Sequence, residues 1–241
     1  MNSRRRIPLN GTFELTGRCN LSCKMCLVRV NQERIKELQL RERTAREWIR
    51  MAEEVRDAGT LSLLLTGGEV MLRADFCEIY EAISQMGFLL SVYTNATMVT
   101  NEIMKLFEKY PPHKIGVTMY GACNETYDRL CNCINGYDKF LEGIEKLSAL
   151  PSLFDIRTTI VQDNLEDLSR MKEFPVQKFG EDKILHISRN VVDKIRGGYA
   201  IIHGDEFSCL ELSMNRDTIN WIRIKSNTGG RYGEIKETYP R

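Results

Sequence analysis

The stretch Glu14-Leu-Thr-Gly-Arg-Cys-Asn-Leu-Ser-Cys-Lys-Met-Cys26 carries three cysteines, Cys19, Cys23 and Cys26, in a C-x₃-C-x₂-C run. It follows a short strand-like segment, Thr12–Leu15. Three thiolates can hold three irons of a cubane [4Fe–4S] cluster and leave the fourth iron without a protein ligand. An open iron is a place where a small molecule can coordinate and receive an electron. A structural zinc site wants four protein ligands and leaves no such vacancy. Coming after the first strand of an α/β chain, the run lies at the carboxyl end of the sheet, where α/β active sites are built.

Outward from this run, the 241-residue chain alternates strand-like and helix-like segments. Leu40–Ala58 reads as a helix, amphipathic around Ala45, Trp48, Ile49, Ala52 and Val55 and closed by Gly59. Leu61–Leu65 is a continuous apolar strand of the type buried on both faces. Asp75–Met86 predicts a helix, Phe88–Tyr93 a strand, Asn101–Tyr110 a helix stopped by Pro111-Pro112, and Lys114–Met119 a strand. Tyr137–Leu150 (helix), Phe154–Val161 (strand), Leu165–Phe174 (helix) and Ile184–Ser188 (strand) continue the rhythm. Repeated βα units imply a parallel sheet with right-handed crossovers. About six of them curl into a partial (β/α)₆ barrel, whereas a closed eight-stranded barrel takes ~250 residues. We therefore expect an α/β core over residues 1–196. After Arg196-Gly-Gly198 the rhythm dissolves into a C-terminal extension, 197–241, whose apolar residues suit contact with a substrate or partner.

With 42% hydrophobic and 28% charged residues, the composition is neither that of a disordered chain nor that of a membrane-embedded one. Apolar stretches are far too short to span a bilayer. Arg4-Arg5-Arg6 is not followed by the hydrophobic segment of a signal peptide. A net charge of +1 gives no footprint for nucleic acid or for an acidic membrane surface. Eight cysteines without a leader point to the reducing cytoplasm and to thiols kept for metal.

Further motifs follow the later strands. Thr66-Gly67-Gly68-Glu69 comes after the second. Two glycines let backbone approach a ligand and a carboxylate beside them can pair with an ammonium, although alone the tripeptide is a turn. Thr94-Asn95-Ala96-Thr97, after the third strand, reads equally as an Asx turn or as a ligand contact through Asn95. Val117-Thr-Met-Tyr-Gly-Ala122 and Asn124-Glu-Thr-Tyr-Asp-Arg-Leu130 lie at the fourth strand and beyond it, and Arg157-Thr-Thr-Ile-Val-Gln-Asp-Asn164 lies at the fifth. With the Leu-Thr-x-Arg-Cys-Asn-Leu lead-in, these segments resemble the radical S-adenosylmethionine (radical SAM) enzymes over roughly Ile7 to Asn190. The branch most similar is the one that modifies peptides and proteins.

The resemblance implies that Cys19, Cys23 and Cys26 bind a [4Fe–4S] cluster whose coordination SAM completes. It implies that Gly67, Gly68 and Glu69 hold the methionine amino group, with Glu69 taking the ammonium. Thr118 takes the place of a serine that hydrogen-bonds SAM. Arg129 takes the place of an arginine facing the SAM carboxylate, a planar partner for two parallel hydrogen bonds. Read alone, Arg129 is a surface cation on a helix. Met25 stands where relatives often have an aromatic residue and can cover the adenine with a polarizable side chain.

The implied activity is reductive cleavage of SAM to methionine and a 5′-deoxyadenosyl radical that abstracts hydrogen from a substrate. The implied partners are a peptide or protein substrate and an electron donor such as flavodoxin or ferredoxin. Many such relatives carry a cysteine-rich C-terminal domain with auxiliary clusters, whereas here only Cys209 lies beyond Cys133. Cys123, Cys131 and Cys133 read as free thiols on a loop or as ligands of a second metal, and Cys77 reads as core. His113, His186 and His203 carry no assignment. Three other readings stay open: a glycyl-radical-activating enzyme, a radical enzyme acting on a small molecule, and a non-catalytic cluster or zinc module. The intact Gly67-Gly68-Glu69 speaks against the last.

Overall fold

The computed structural model describes residues 7–26, 28, 41–180 and 186–188. Six strands, β1 (Asn10–Thr16), β2 (Ser62–Gly67), β3 (Leu89–Thr94), β4 (Lys114–Thr118), β5 (Leu153–Thr159) and β6 (His186–Ser188), form one sheet in chain order. All five neighbouring pairs are parallel, and β1 does not pair with β6. This is the open partial barrel that six βα units predict. The connections carry α1 (Ala45–Asp57), α2 (Phe76–Ser84), α3 (Asn101–Lys109), α4 (Asn124–Cys131), α5 (Gly136–Ser148) and α6 (Leu168–Phe179).

Alternation along the strands gives the sheet two unlike faces. Leu15, Leu63, Leu65, Val92, Ile115 and Val117 share one buried core with the helix residues Trp48, Ile79, Phe107 and Phe140. Its aromatic rings pack closely, Phe13 on Trp48 at 5.1 Å and Tyr80 on Phe107 at 4.8 Å between centroids. The intervening positions on β3, β4 and β5 begin with the exposed Leu89 and Leu153 at the amino ends and continue as Ser91, Tyr93, Lys114, Gly116, Thr118, Asp155, Arg157 and Thr159. Beyond those two leucines this face carries no aliphatic side chain, so toward the carboxyl ends it is not a packed interior. It is a wall suited to a polar ligand.

Several boundaries differ from the sequence-based expectation, each for a local reason. α1 begins at Ala45, not Leu40, because Thr44 and Glu47 form a capping box. Thr44 Oγ1 accepts from Glu47 N at 3.3 Å, and Glu47 Oε2 accepts from Thr44 N at 2.8 Å. Leu61 precedes β2 and is 61% exposed, while Leu64 is half-buried, because only one face of the strand meets the helices. Residues 162–167 form a 3₁₀ turn before α6, which runs on through Pro175 to Phe179. α4, the helix on which Arg129 was read but for which no bounds were expected, is eight residues long and ends at Asn132, in the left-handed region at φ 51°. Residues 184–185 of the expected sixth strand and the extension 197–241 lie outside the described residues. Among the described residues, no helix is long and apolar enough to cross a membrane.

Candidate active site

A cavity of about 260 Å³ opens beside the carboxyl ends of β2 to β5. Cys19, Cys23, Met25 and Cys26 line one side of it, Thr66, Gly67 and Gly68 another, and Asn95 and Thr118 a third. Eight of the expected site residues thus converge on one space. Glu69 and Arg129 are not on its wall. Tyr93, Tyr120 and Arg157, to which the sequence reading gave no role, are on it.

The cysteine loop is fastened from two sides. Its backbone donates to the end of α4, Ser22 N to Cys131 O at 2.8 Å and Lys24 N to Leu130 O at 3.0 Å. Leu21 and Met25 are buried there against Leu130, Cys131, Cys133 and Val161. From the other side, Gly68 N donates to Thr16 O at 2.7 Å and Glu69 N to Arg18 O at 2.9 Å. A Cβ on Gly68 would lie 2.1 Å from Arg18 O, and one on Gly67 would lie 2.4 Å from Thr16 O. The glycine pair is therefore required for backbone to meet backbone where the cysteine loop leaves β1, before any ligand is considered. Lys24 adds an ion pair to Asp163 at 3.0 Å.

Glu69 is fully buried. Its Oε1 accepts from Met71 N at 3.1 Å and Thr94 Oγ1 at 2.9 Å, and its Oε2 accepts from Asn95 N at 2.8 Å. Burial pushes the carboxyl up from its ordinary value, and these three donors pull the other way. As it stands, the carboxylate clamps the turn after β2 to the turn after β3. Glu69→Ala would leave three buried donors without an acceptor, so it should destabilise the metal-free protein by roughly 3 kcal/mol. Urea unfolding checks this; a residue that only gripped an ammonium would leave the unfolding midpoint of the metal-free protein unchanged.

Asn95 makes the Asx turn, its Oδ1 accepting from Thr97 N at 2.9 Å, and it also reaches the cysteine loop. Its Nδ2 donates to Asn20 Oδ1 at 2.9 Å and points toward Cys19 Sγ at 3.8 Å. Arg129, on α4, does not line the cavity. Its Nη2 donates to Asp163 O at 2.6 Å, which braces the residue that pairs with Lys24. Cys131 and Cys133 are buried and Cys123 caps α4, so these thiols are not the open loop the sequence suggested. A hydrogen bond to Cys23 and burial push the Cys131 thiol far up. Cys77 packs against the core as expected.

Among the described residues, no three His, Cys, Asp or Glu side chains stand close enough to share a single metal ion. That holds for Cys123, Cys131 and Cys133 as well as for Cys19, Cys23 and Cys26. It also suits a cubane cluster, in which each thiolate binds a different iron and the three sulfurs need not meet at one point. Burial pushes the Cys19 thiol up to about 12, so iron must displace its proton to gain the thiolate. The donor set, the side-chain-free Gly67-Gly68 edge and the polar groups of Asn95, Thr118, Arg157 and Thr159 together fit a cluster with a small molecule beside it.

Comparison with known proteins gives the same picture. The family description Radical SAM superfamily matches residues 13–174. The AdoMet-dependent heme synthase of Methanosarcina barkeri is 30% identical over 161 residues, 67% of this chain and 45% of that protein. The antilisterial bacteriocin subtilosin biosynthesis protein AlbA of Bacillus subtilis is 25% identical over 198 residues, 82% of this chain and 42% of that protein. Streptococcus suis SuiB bound to precursor peptide SuiA shares the fold, with a TM-score of 0.66 at 16% identity over 81% of this chain and 42% of that one. The chain spans less than half the length of each.

Proposed function

Because the chain belongs to the radical SAM superfamily, we propose that it cleaves SAM reductively and removes hydrogen from a peptide or protein residue. Members of the superfamily are enzymes that work with a [4Fe–4S] cluster and SAM. The observation that carries the reading is the meeting of the three cysteines and the Gly67-Gly68 edge on one cavity that Thr118, Thr159 and Arg157 also line. When bound, the cluster supplies the electron that breaks the sulfonium bond of SAM. The protein does the rest. Cys19, Cys23 and Cys26 hold the irons, Met25 covers the adenine, and the Gly67-Gly68 backbone and Thr118 take polar groups of SAM. Asn95 and Glu69 keep the surrounding turns in place. A flavodoxin or ferredoxin in a reducing cytoplasm suits the electron supply.

The peptide class is supported by the likeness to AlbA over 82% of this chain and by the segments Val117–Ala122 and Asn124–Leu130. A second reading, a small-molecule substrate such as a heme precursor, is supported by the 30% identity to the heme synthase. One experiment separates them. The anaerobically reconstituted protein is incubated with SAM, dithionite and deuterated short peptides encoded beside its gene. Deuterium appearing in 5′-deoxyadenosine, together with a mass change in one peptide, is the expected result. Deuterium transfer from a porphyrin precursor, and from no peptide, contradicts the peptide reading.

A further inference from the structure

Tyr120 lines the cavity beside Cys23 and packs against the small buried group that Leu21, Met25, Leu130, Cys131 and Val161 form under the cysteine loop. Its position is fixed from three directions. Its N donates to Tyr127 Oη at 3.3 Å, and its O accepts from Nδ2 of the buried Asn164 at 3.0 Å. Its ring stands edge-on to Tyr127, with centroids 5.8 Å apart and planes at 89°. Tyr127 is fully buried, so this support is rigid.

The hydroxyl at the end of the Tyr120 ring is buried close to the thiols of Cys19, Cys23 and Cys131, and it hydrogen-bonds Cys23. Cys131 approaches the same sulfur from another element. The bonds from Ser22 N to Cys131 O at 2.8 Å and from Lys24 N to Leu130 O at 3.0 Å flank Cys23 and bring it against the last turn of α4. There the fully buried Cys131 thiol also hydrogen-bonds Cys23. Cys19 is served differently, by the backbone Leu21 N at 3.4 Å and by Asn95 Nδ2 at 3.8 Å. A thiolate on iron has no proton to give, so with a cluster bound both partners of Cys23 must donate to it.

We propose that Tyr120, together with Cys131, acts through Cys23 to raise the reduction potential of the cluster. This rests on the reading above that Cys19, Cys23 and Cys26 hold that cluster. An added electron puts negative charge onto the cysteine sulfurs, and a donor hydrogen bond stabilises the reduced form more than the oxidised one. The apolar walls of Leu21, Leu130 and Val161 lower the local dielectric, which strengthens both bonds. Neither side chain needs to touch SAM or substrate for this, and the result is a cluster that a milder electron donor can reduce.

The test is a redox titration of the reconstituted protein with dithionite in the absence of SAM, the reduced cluster being counted by electron paramagnetic resonance. Tyr120→Phe keeps the ring and removes the donor. It should leave iron content near that of the wild type and shift the reduction equilibrium about tenfold toward the oxidised form, ~59 mV more negative for one electron. Cys131→Ala should shift it the same way by less, because a thiol is the weaker donor, and the double variant should shift it further than either. A merely structural role would cost iron or stability and leave the midpoint of the remaining clusters where it was. An unmoved or more positive midpoint in an iron-loaded Tyr120→Phe protein therefore overturns the proposal. Should that variant load too little iron to titrate, Cys131→Ala decides, and an unmoved midpoint there overturns it as well. A wild type that takes up no iron refutes the cluster reading itself, and this proposal with it.

Discussion

Replacing Cys19, Cys23 and Cys26 together with Ala will leave the anaerobically reconstituted protein essentially free of iron, against about four irons per chain in the wild type. All three thiols face one cavity, and the loop that carries them is held in shape by backbone bonds to Cys131 O and Leu130 O and by buried Leu21 and Met25. Losing three sulfurs therefore removes the ligands without removing the loop. Far-ultraviolet dichroism should be unchanged while the iron–sulfur absorbance disappears. Cys123, Cys131 and Cys133 provide the internal control. They do not line the cavity, so their joint replacement should leave most of the iron in place. Full iron content in the first triple variant would transfer the cluster to other residues and sink the site as described.

The second large effect belongs to a residue without a side chain. In Gly68→Ala the new methyl carbon would sit 2.1 Å from Arg18 O and 2.6 Å from Arg18 C, both backbone, and 3.2 Å from Cys19 Cβ. No rotamer change relieves a backbone clash, so either the turn after β2 or the start of the cysteine loop has to move. We expect a loss of roughly 3 kcal/mol in the metal-free protein, at the upper end for overpacking. Iron loading and SAM affinity should fall with it, since Gly68 N and Glu69 N both anchor the cysteine loop. Gly87→Ala is the comparison. It has open space around it and pays only for φ +86°, so it should cost about 1–2 kcal/mol and leave iron content alone. Urea unfolding and iron analysis on both variants read this directly. Normal iron and normal SAM affinity in Gly68→Ala would contradict the packing argument.

Most of the barrel was legible because its outer face obeys simple periodicity. Apolar residues at helical spacing on α1 and α3, and β-branched or leucine-rich runs at β2 and β4, gave each element within a few residues. The cysteine run and the Gly-Gly turn were legible because their spacing is local. What escaped was three-dimensional. The capping box at Thr44 and Glu47 lay in plain sight, but the apolar pattern drew the helix start upstream to Leu40. The sequence suggested Glu69 as an ammonium ligand, but nothing in it announces that Thr94 Oγ1 and Asn95 N, at the end of the next strand, hydrogen-bond the same carboxylate. Arg157 escaped for a similar reason. Its place on the cavity wall comes from Tyr93, Gly116 and Asp155 meeting across three strands, which no window along the chain contains. One signal was available. Lys114-x-Gly116-x-Thr118 and Asp155-x-Arg157-x-Thr159 place polar residues or glycine at every second position of strands expected to be buried, and such strands otherwise read as continuous apolar runs.

The central claim is that this cavity holds a cluster and SAM close enough for an electron to pass between them. Its most direct test is the anaerobic reaction of the reconstituted protein with SAM and dithionite, followed by chromatography of the products. The account predicts 5′-deoxyadenosine and methionine in equal amounts from the wild type and neither from the Cys19, Cys23 and Cys26 triple variant. A wild-type protein that carries about four irons and leaves SAM intact, or a triple variant that still forms 5′-deoxyadenosine, would contradict it.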